Sequence, residues 1–164
     1  MGPRLRRILA ALTIPFAFAV ATTAAVPALA DTTGHLCEAY APRYCAGGDL
    51  SSGSAVREEA TGRTVTWHRT TGTYGGWPVG QLKEGSLCMR RDNLHPGGVI
   101  LGDCGSSGTA WWDDTSGPHH LYGNRLGSQT LGYNVWLSGV GIIGQQLQIA
   151  ERYHLDWSQT WTLN

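Results

Sequence analysis

The chain has 164 residues, the length of one ordinary domain. Its 12 Lys and Arg balance 12 Asp and Glu, but three of the arginines sit in the first seven residues. Without them the charge is −3, nine basic against twelve acidic groups, which excludes a nucleic-acid binder driven by net charge. The 23 glycines suggest disorder, but seven tryptophans beside many Val, Ile and Leu argue for a packed, turn-rich fold.

Residues 1–30 read as a secretory signal peptide. Arg4, Arg6 and Arg7 form a basic start, Ile8 to Val20 is apolar, and Ala28-Leu29-Ala30 is a small-x-small cleavage site before Asp31. Cleavage leaves residues 31–164 as a single extracellular domain. No second long apolar stretch follows, so no membrane span is expected after cleavage. The four cysteines, Cys37, Cys45, Cys88 and Cys104, all lie in the exported part, where disulfides are the default. Three pairings are possible. Cys37–Cys45 and Cys88–Cys104 are favoured because each joins neighbours that one hairpin brings together. Closing a loop of 16 residues contributes about 3 kcal/mol in the chain-entropy model. No C-x-x-C spacing points to metal, and neither a metal nor a cofactor is expected.

Further along, no stretch holds an apolar i, i+3, i+4 pattern for three turns without a glycine interrupting it. Short alternating runs occur instead at Thr64–His68, Val99–Leu101, Gln146–Ile149 and Thr160–Leu163, separated by Gly, Ser, Asp and Asn. The chain is all-β. Three segments start alike: Tyr44-Cys45-Ala46, Leu87-Cys88-Met89 and Val135-Trp136-Leu137. Eleven residues past each middle position stands Val56, Val99 or Leu147, and a tryptophan follows: Trp67, Trp111 or Trp112, and Trp161. The pitch is 43 and then 48 residues. None of three such repeats buries an apolar face alone, whereas threefold packing into a closed barrel buries all three faces and removes free edges. Trp67, Trp111 and Trp161, once per repeat, and Trp136, which heads the third, are assigned to the core.

The middle repeat joins Leu87-Cys88-Met89 to Val99-Ile100-Leu101-Gly102-Asp103-Cys104 and Trp111-Trp112, and the last repeat ends in Gln159-Thr160-Trp161. This pattern resembles the repeat of ricin B-type β-trefoil domains: a Cys-Leu strand, a Val-x-Leu strand ending in Cys, then Gln-x-Trp. The resemblance covers about residues 35–164. It implies a pseudo-threefold β-trefoil of twelve strands, six in a barrel and six in capping hairpins. It also matches the Cys88–Cys104 pair, leaves Cys37 with Cys45, and implies carbohydrate as the ligand.

Sugar-binding members place an Asp two residues after the first Cys, an aromatic near the end of the second strand, and Asn or Gln before the Trp. A sugar presents apolar C–H faces and directional hydroxyls, so a flat ring beside donors and acceptors suits it. Here the Asp positions hold Gly47, Arg90 and Ser138, while Asp49 and Asp92 stand four residues after the Cys. Gly102 and Ile149-Ala150-Glu151 replace the aromatic. Val65 and Thr109 or Ala110 replace the polar residue, and only Gln159 matches. A sugar site is therefore expected elsewhere: at Tyr153, His154 and Asp156 first, and at Tyr74 and Trp77 second.

Other constellations favour bland readings. Asp113-Asp114 and His119-His120 read as a polar loop whose adjacent side chains do not converge. Glu58-Glu59 is not a glycosidase pair by adjacency, since that chemistry needs two carboxylates facing each other across a cleft. Gly105-Ser106-Ser107-Gly108 is a hairpin turn, not a nucleophile elbow. Trp77 lies in the turn-like Tyr74-Gly75-Gly76-Trp77-Pro78, where its ring either faces solvent or covers the barrel end. The expected function is a secreted, non-catalytic, carbohydrate-binding module for a glycan or polysaccharide. An extracellular protein-interaction module, inhibitor or adaptor, stands second, and a small secreted hydrolase third.

Overall fold

The computed structural model describes residues 30–95, 97–114, 119–151 and 157–164. The expected leader, apart from Ala30, and Tyr153, His154 and Asp156 lie outside these residues.

The alternating runs form antiparallel strands: β1 (Thr32–Glu38), β2 (Cys45–Gly47), β3 (Arg57–Glu59), β4 (Thr64–Tyr74), β5 (Trp77–Glu84), β6 (Leu87–Arg91), β7 (Val99–Gly102), β8 (Trp111–Asp114), β9 (Leu121–Asn124), β10 (Val135–Ser138), β11 (Gln148–Glu151) and β12 (Trp161–Leu163). One short helix, α1 (Arg125–Leu131), connects β9 to β10. The Asn124 side chain accepts from Gly127 N at its start, and Gly132, with a positive φ of 78°, ends it. The architecture is all-β.

Strands β1, β4, β5, β8 and β9 are neighbours in that order. Strand β12 pairs with β1, and a two-hydrogen-bond bridge joins Trp161 to His120, one residue before β9. The six strands thus curl back on themselves around the main core. Strand pairs β2–β3, β6–β7 and β10–β11 lie against one end of this curl. The 11-residue spacing in the sequence has a direct counterpart there. Val56 N donates to Val99 O (3.0 Å), Val99 N to Leu147 O (2.9 Å), and Leu147 N to Val56 O (2.8 Å). A second threefold set flanks it and runs in the opposite sense, from Glu58 N to Gln145 O, Leu101 N to Ser54 O, and Ile149 N to Gly97 O. Within each set, every repeat donates to one neighbour and accepts from the other. The three apolar side chains at the first ring are fully buried, so their amides have no recourse to water and must pair with each other.

The strand registers fix which residues are equivalent. Cys45 faces Cys37, Cys88 faces Lys83, and Trp136 faces Gly123. Trp161 faces Glu38 and Trp111 faces Asn124, while Thr66 faces Lys83, which puts Val65 level with Glu84. The place held by Trp111 and Trp161 is therefore taken by Val65 in the first repeat, not by Trp67 as the spacing predicts. Trp67 is buried but stands level with Asp113 and Leu163, whose partners Leu82, Tyr122 and Leu36 are likewise equivalent. Both indoles at the shared place donate to a carbonyl of their own repeat, Trp111 to Met89 O (2.9 Å) and Trp161 to Leu137 O (3.1 Å).

The disulfides are Cys37–Cys45 and Cys88–Cys104. They fit an extracellular protein, and no helix among the described residues is long and apolar enough to cross a membrane. The third repeat has Trp136 where the others have cysteine. Trp136 is buried, but outside the main core, in a second cluster with Val79 and Trp112. A Cβ on Gly123 would overlap the Trp112 indole, so this glycine makes room for the ring.

A buried polar residue closes the first strand of each repeat. Glu38, Glu84 and Asn124 end the first strands and are at most 4% exposed. Asn124 donates to Gly108 O while capping α1. Glu84 has no hydrogen-bond partner for either carboxylate oxygen among the described residues. Burial pushes its carboxyl up from 4.5 to about 7, with Arg63 opposing and Glu59 adding to the rise.

Candidate functional site

At the end of the curl away from the hairpins lies a cavity of about 210 Å³. Its position follows from the repeat. Going two residues back from Leu36, Leu82 and Tyr122 reaches Gly34, Gly80 and His120, so two first strands bring no side chain where the third brings an imidazole. Trp67, Asp113 and Leu163 approach from the partner strands, with Arg69, Pro78 and Thr32 nearer the opening.

Asp113 and His120 converge, contrary to the polar-loop reading. Strands alternate faces, so within Asp113-Asp114 and His119-His120 only one residue of each pair turns inward. Tyr122 faces Asp113 directly, and His120 is its diagonal neighbour on the same face. His120 Nδ1 donates to both Asp113 oxygens at 3.0 Å. Asp113 is 3% exposed. This hydrogen bond raises the His120 pKa above its ordinary value, against an opposing effect of burial, and the Asp113 charge adds to the rise. The His120 ring stacks on Tyr122 with centroids 5.6 Å apart and planes 4° apart, and Trp67 packs on the other side of the cluster at 5.2 Å. The Tyr122 hydroxyl is buried with no partner among the described residues. Burial and the Asp113 charge hold this phenol far above its ordinary range, so it stays protonated. The arrangement orients an imidazole as a base, but no Ser, Thr or Cys side chain hydrogen-bonds to it among the described residues. Nor is any group of three His, Cys, Asp or Glu side chains there placed to hold a metal ion.

Tyr74 and Trp77 occupy a different place. They face each other across the β4–β5 turn, where Gly75 and Gly76 take the positive φ that the tight connection demands. Both rings are half-buried against the second apolar cluster, on the sheet face opposite the main core. Tyr74 stacks on Trp112 at 4.6 Å, and Arg125 lies 5.9 Å above the Tyr74 ring. Trp77 therefore neither covers the barrel end nor stands fully in solvent.

The residues nearest to the sugar-site positions that the resemblance implies are used locally. Asp92 accepts from Leu94 N (2.8 Å) and pairs with His95 (2.9 Å), closing its own turn. Gln159, 1% exposed, donates to Glu151 O (2.9 Å) and ties the last turn to β11. Glu58 is fully buried, and its carboxylate accepts from Val140 N, Gly141 N and Ile142 N at 2.7–3.0 Å. That role escaped sequence reading, which saw only adjacent glutamates. The glycine spacing in Gly139-Val140-Gly141-Ile142-Ile143-Gly144 was its sole trace.

No protein-family model matches the chain, and no curated protein matches it.

Proposed function

We propose that this is a secreted, non-catalytic binding module of ricin B-like β-trefoil type, with carbohydrate as its ligand. The observation that carries the scaffold reading is the closed ring of backbone hydrogen bonds at Val56, Val99 and Leu147, flanked by a second threefold set donated by Glu58, Leu101 and Ile149. A threefold set of capping hairpins calls for such rings, and an unrelated all-β sandwich does not. The two disulfides and the signal-like start support export. A sugar as ligand is supported by the half-buried Tyr74 and Trp77, the first stacked on Trp112 with the Arg125 donors nearby and the second packed on the same cluster. Tyr153, His154 and Asp156, the first expectation from the sequence, are the other candidate site. The test is retention on a glycan array and on insoluble polysaccharides. Retention lost in Tyr74→Ala or Trp77→Ala supports the described face, and loss in Tyr153→Ala supports the other. No retention of the unaltered protein on any glycan would overturn the carbohydrate reading.

A protein-interaction module is the second reading, and one feature favours it. Val140, Ile142 and Ile143 are 43–55% exposed on a loop that Glu58 holds by three backbone hydrogen bonds. A rigid protruding apolar loop is what an inhibitor or adaptor presents to its partner.

A further inference from the structure

We propose that the cavity lined by Asp113, His120, Tyr122, Trp67 and Arg69 is a second binding site, and that it takes a small organic carboxylate. This inference goes beyond the glycan reading and uses none of its residues.

The Asp113 carboxylate already accepts from His120 Nδ1 through both oxygens. An ionised carboxylate only accepts, so Nδ1 carries the proton, and Nε2 has no partner among the described residues. Asp31, beside the lining residue Thr32, is taken by His68 at 2.8 Å. The acidic groups at this end are therefore engaged. The donors are not. The Tyr122 hydroxyl has no partner among the described residues, and Arg69 makes no ion pair there. The Arg69 guanidinium offers five N–H groups in a fork that matches a carboxylate. A buried hydroxyl without a partner costs about 1–3 kcal/mol, which a carboxylate oxygen bonded to it would offset. Trp67, Pro78 and Leu163 supply apolar wall for the rest of the molecule. The volume, about 210 Å³, equals that of roughly seven waters, enough for one ring bearing a carboxylate.

The chemistry is shared by a free aromatic or aliphatic acid and by an acidic sugar, and the experiment separates them. The exported protein is titrated at constant ionic strength with sodium benzoate, sodium glucuronate or glucose, following the His120 ring and Trp67 indole resonances. A saturable shift with at least one acid and none with glucose is expected. Arg69→Gln and Tyr122→Phe should each weaken that binding at least tenfold. Saturation by benzoate alone assigns the site to simple acids, and saturation by glucuronate alone assigns it to acidic sugars. Tyr74→Ala and Trp77→Ala should leave the titration unchanged, which keeps a failure of this site distinct from a failure of the glycan face. The proposal is overturned if neither acid saturates, if glucose binds as well, or if binding survives both substitutions.

Discussion

The two ends of the curl obey the repeat to different degrees. At the hairpin end the three repeats meet as near equals: Val56, Val99 and Leu147 are all buried aliphatics exchanging the same backbone hydrogen bonds. At the opposite end the equivalent places hold Trp67, Asp113 and Leu163, fed by Gly34, Gly80 and His120. The first end leaves its backbone groups no partner but each other, so the same solution recurs three times. The second end opens to a cavity, and there one repeat carries an ion pair that the other two lack. Symmetry marks where the three repeats hold each other, and its loss marks where chemistry has room to act.

The largest expected effect sharpens this contrast from the symmetric side. Trp161 is fully buried and donates to Leu137 O. Trp161→Ala should cost about 3–5 kcal/mol in denaturant unfolding. Leu163→Ala, at the open end and only partly buried, should cost clearly less. Equal losses would erase the distinction between the ends.

Glu84 tests a defect of the ordered end. Its folded carboxyl titrates at about 7 against 4.5 when unfolded. The folded state therefore holds the proton more tightly than the unfolded state does. Stability is fully present below about pH 4.5 and falls as pH rises through about 7. The loss is on the order of 3 kcal/mol above that range. Glu84→Gln should remove this slope, leaving stability between pH 4.5 and 8 flatter than in the parent. An unchanged slope would place the titration elsewhere.

A smaller effect probes the open end. Tyr122→Phe removes a buried hydroxyl that has no partner among the described residues. Thermal unfolding should show stability unchanged or raised by about 1 kcal/mol, since no hydrogen bond is lost. A loss of 2 kcal/mol would mean that the hydroxyl serves the fold.

Much of the ordered end was legible in the sequence. The 11-residue spacing from Cys45, Cys88 and Trp136 reached Val56, Val99 and Leu147, the residues of the first ring, and hairpin proximity named both disulfides. Register was harder. Val65 and Trp67 point the same way on one strand, so counting to a tryptophan selected the larger side chain rather than the equivalent one. The open end was nearly illegible. Asp113 and His120 meet only because each is the inward member of a like pair on two adjacent strands, and adjacency in sequence hides which member turns in. Trp77 was ambiguous for another reason: the cluster it packs on lies on the sheet face opposite the main core, and the repeat says nothing of that face.

The central claim is that three repeats lock into one cooperative unit through the hydrogen-bond rings. Native-state hydrogen exchange tests it at single amides. Val56, Val99 and Leu147 should fall in the slowest class with a common opening free energy equal to that of global unfolding. If any one of the three exchanges through a separate, lower-energy opening, the repeats do not lock together and the account fails.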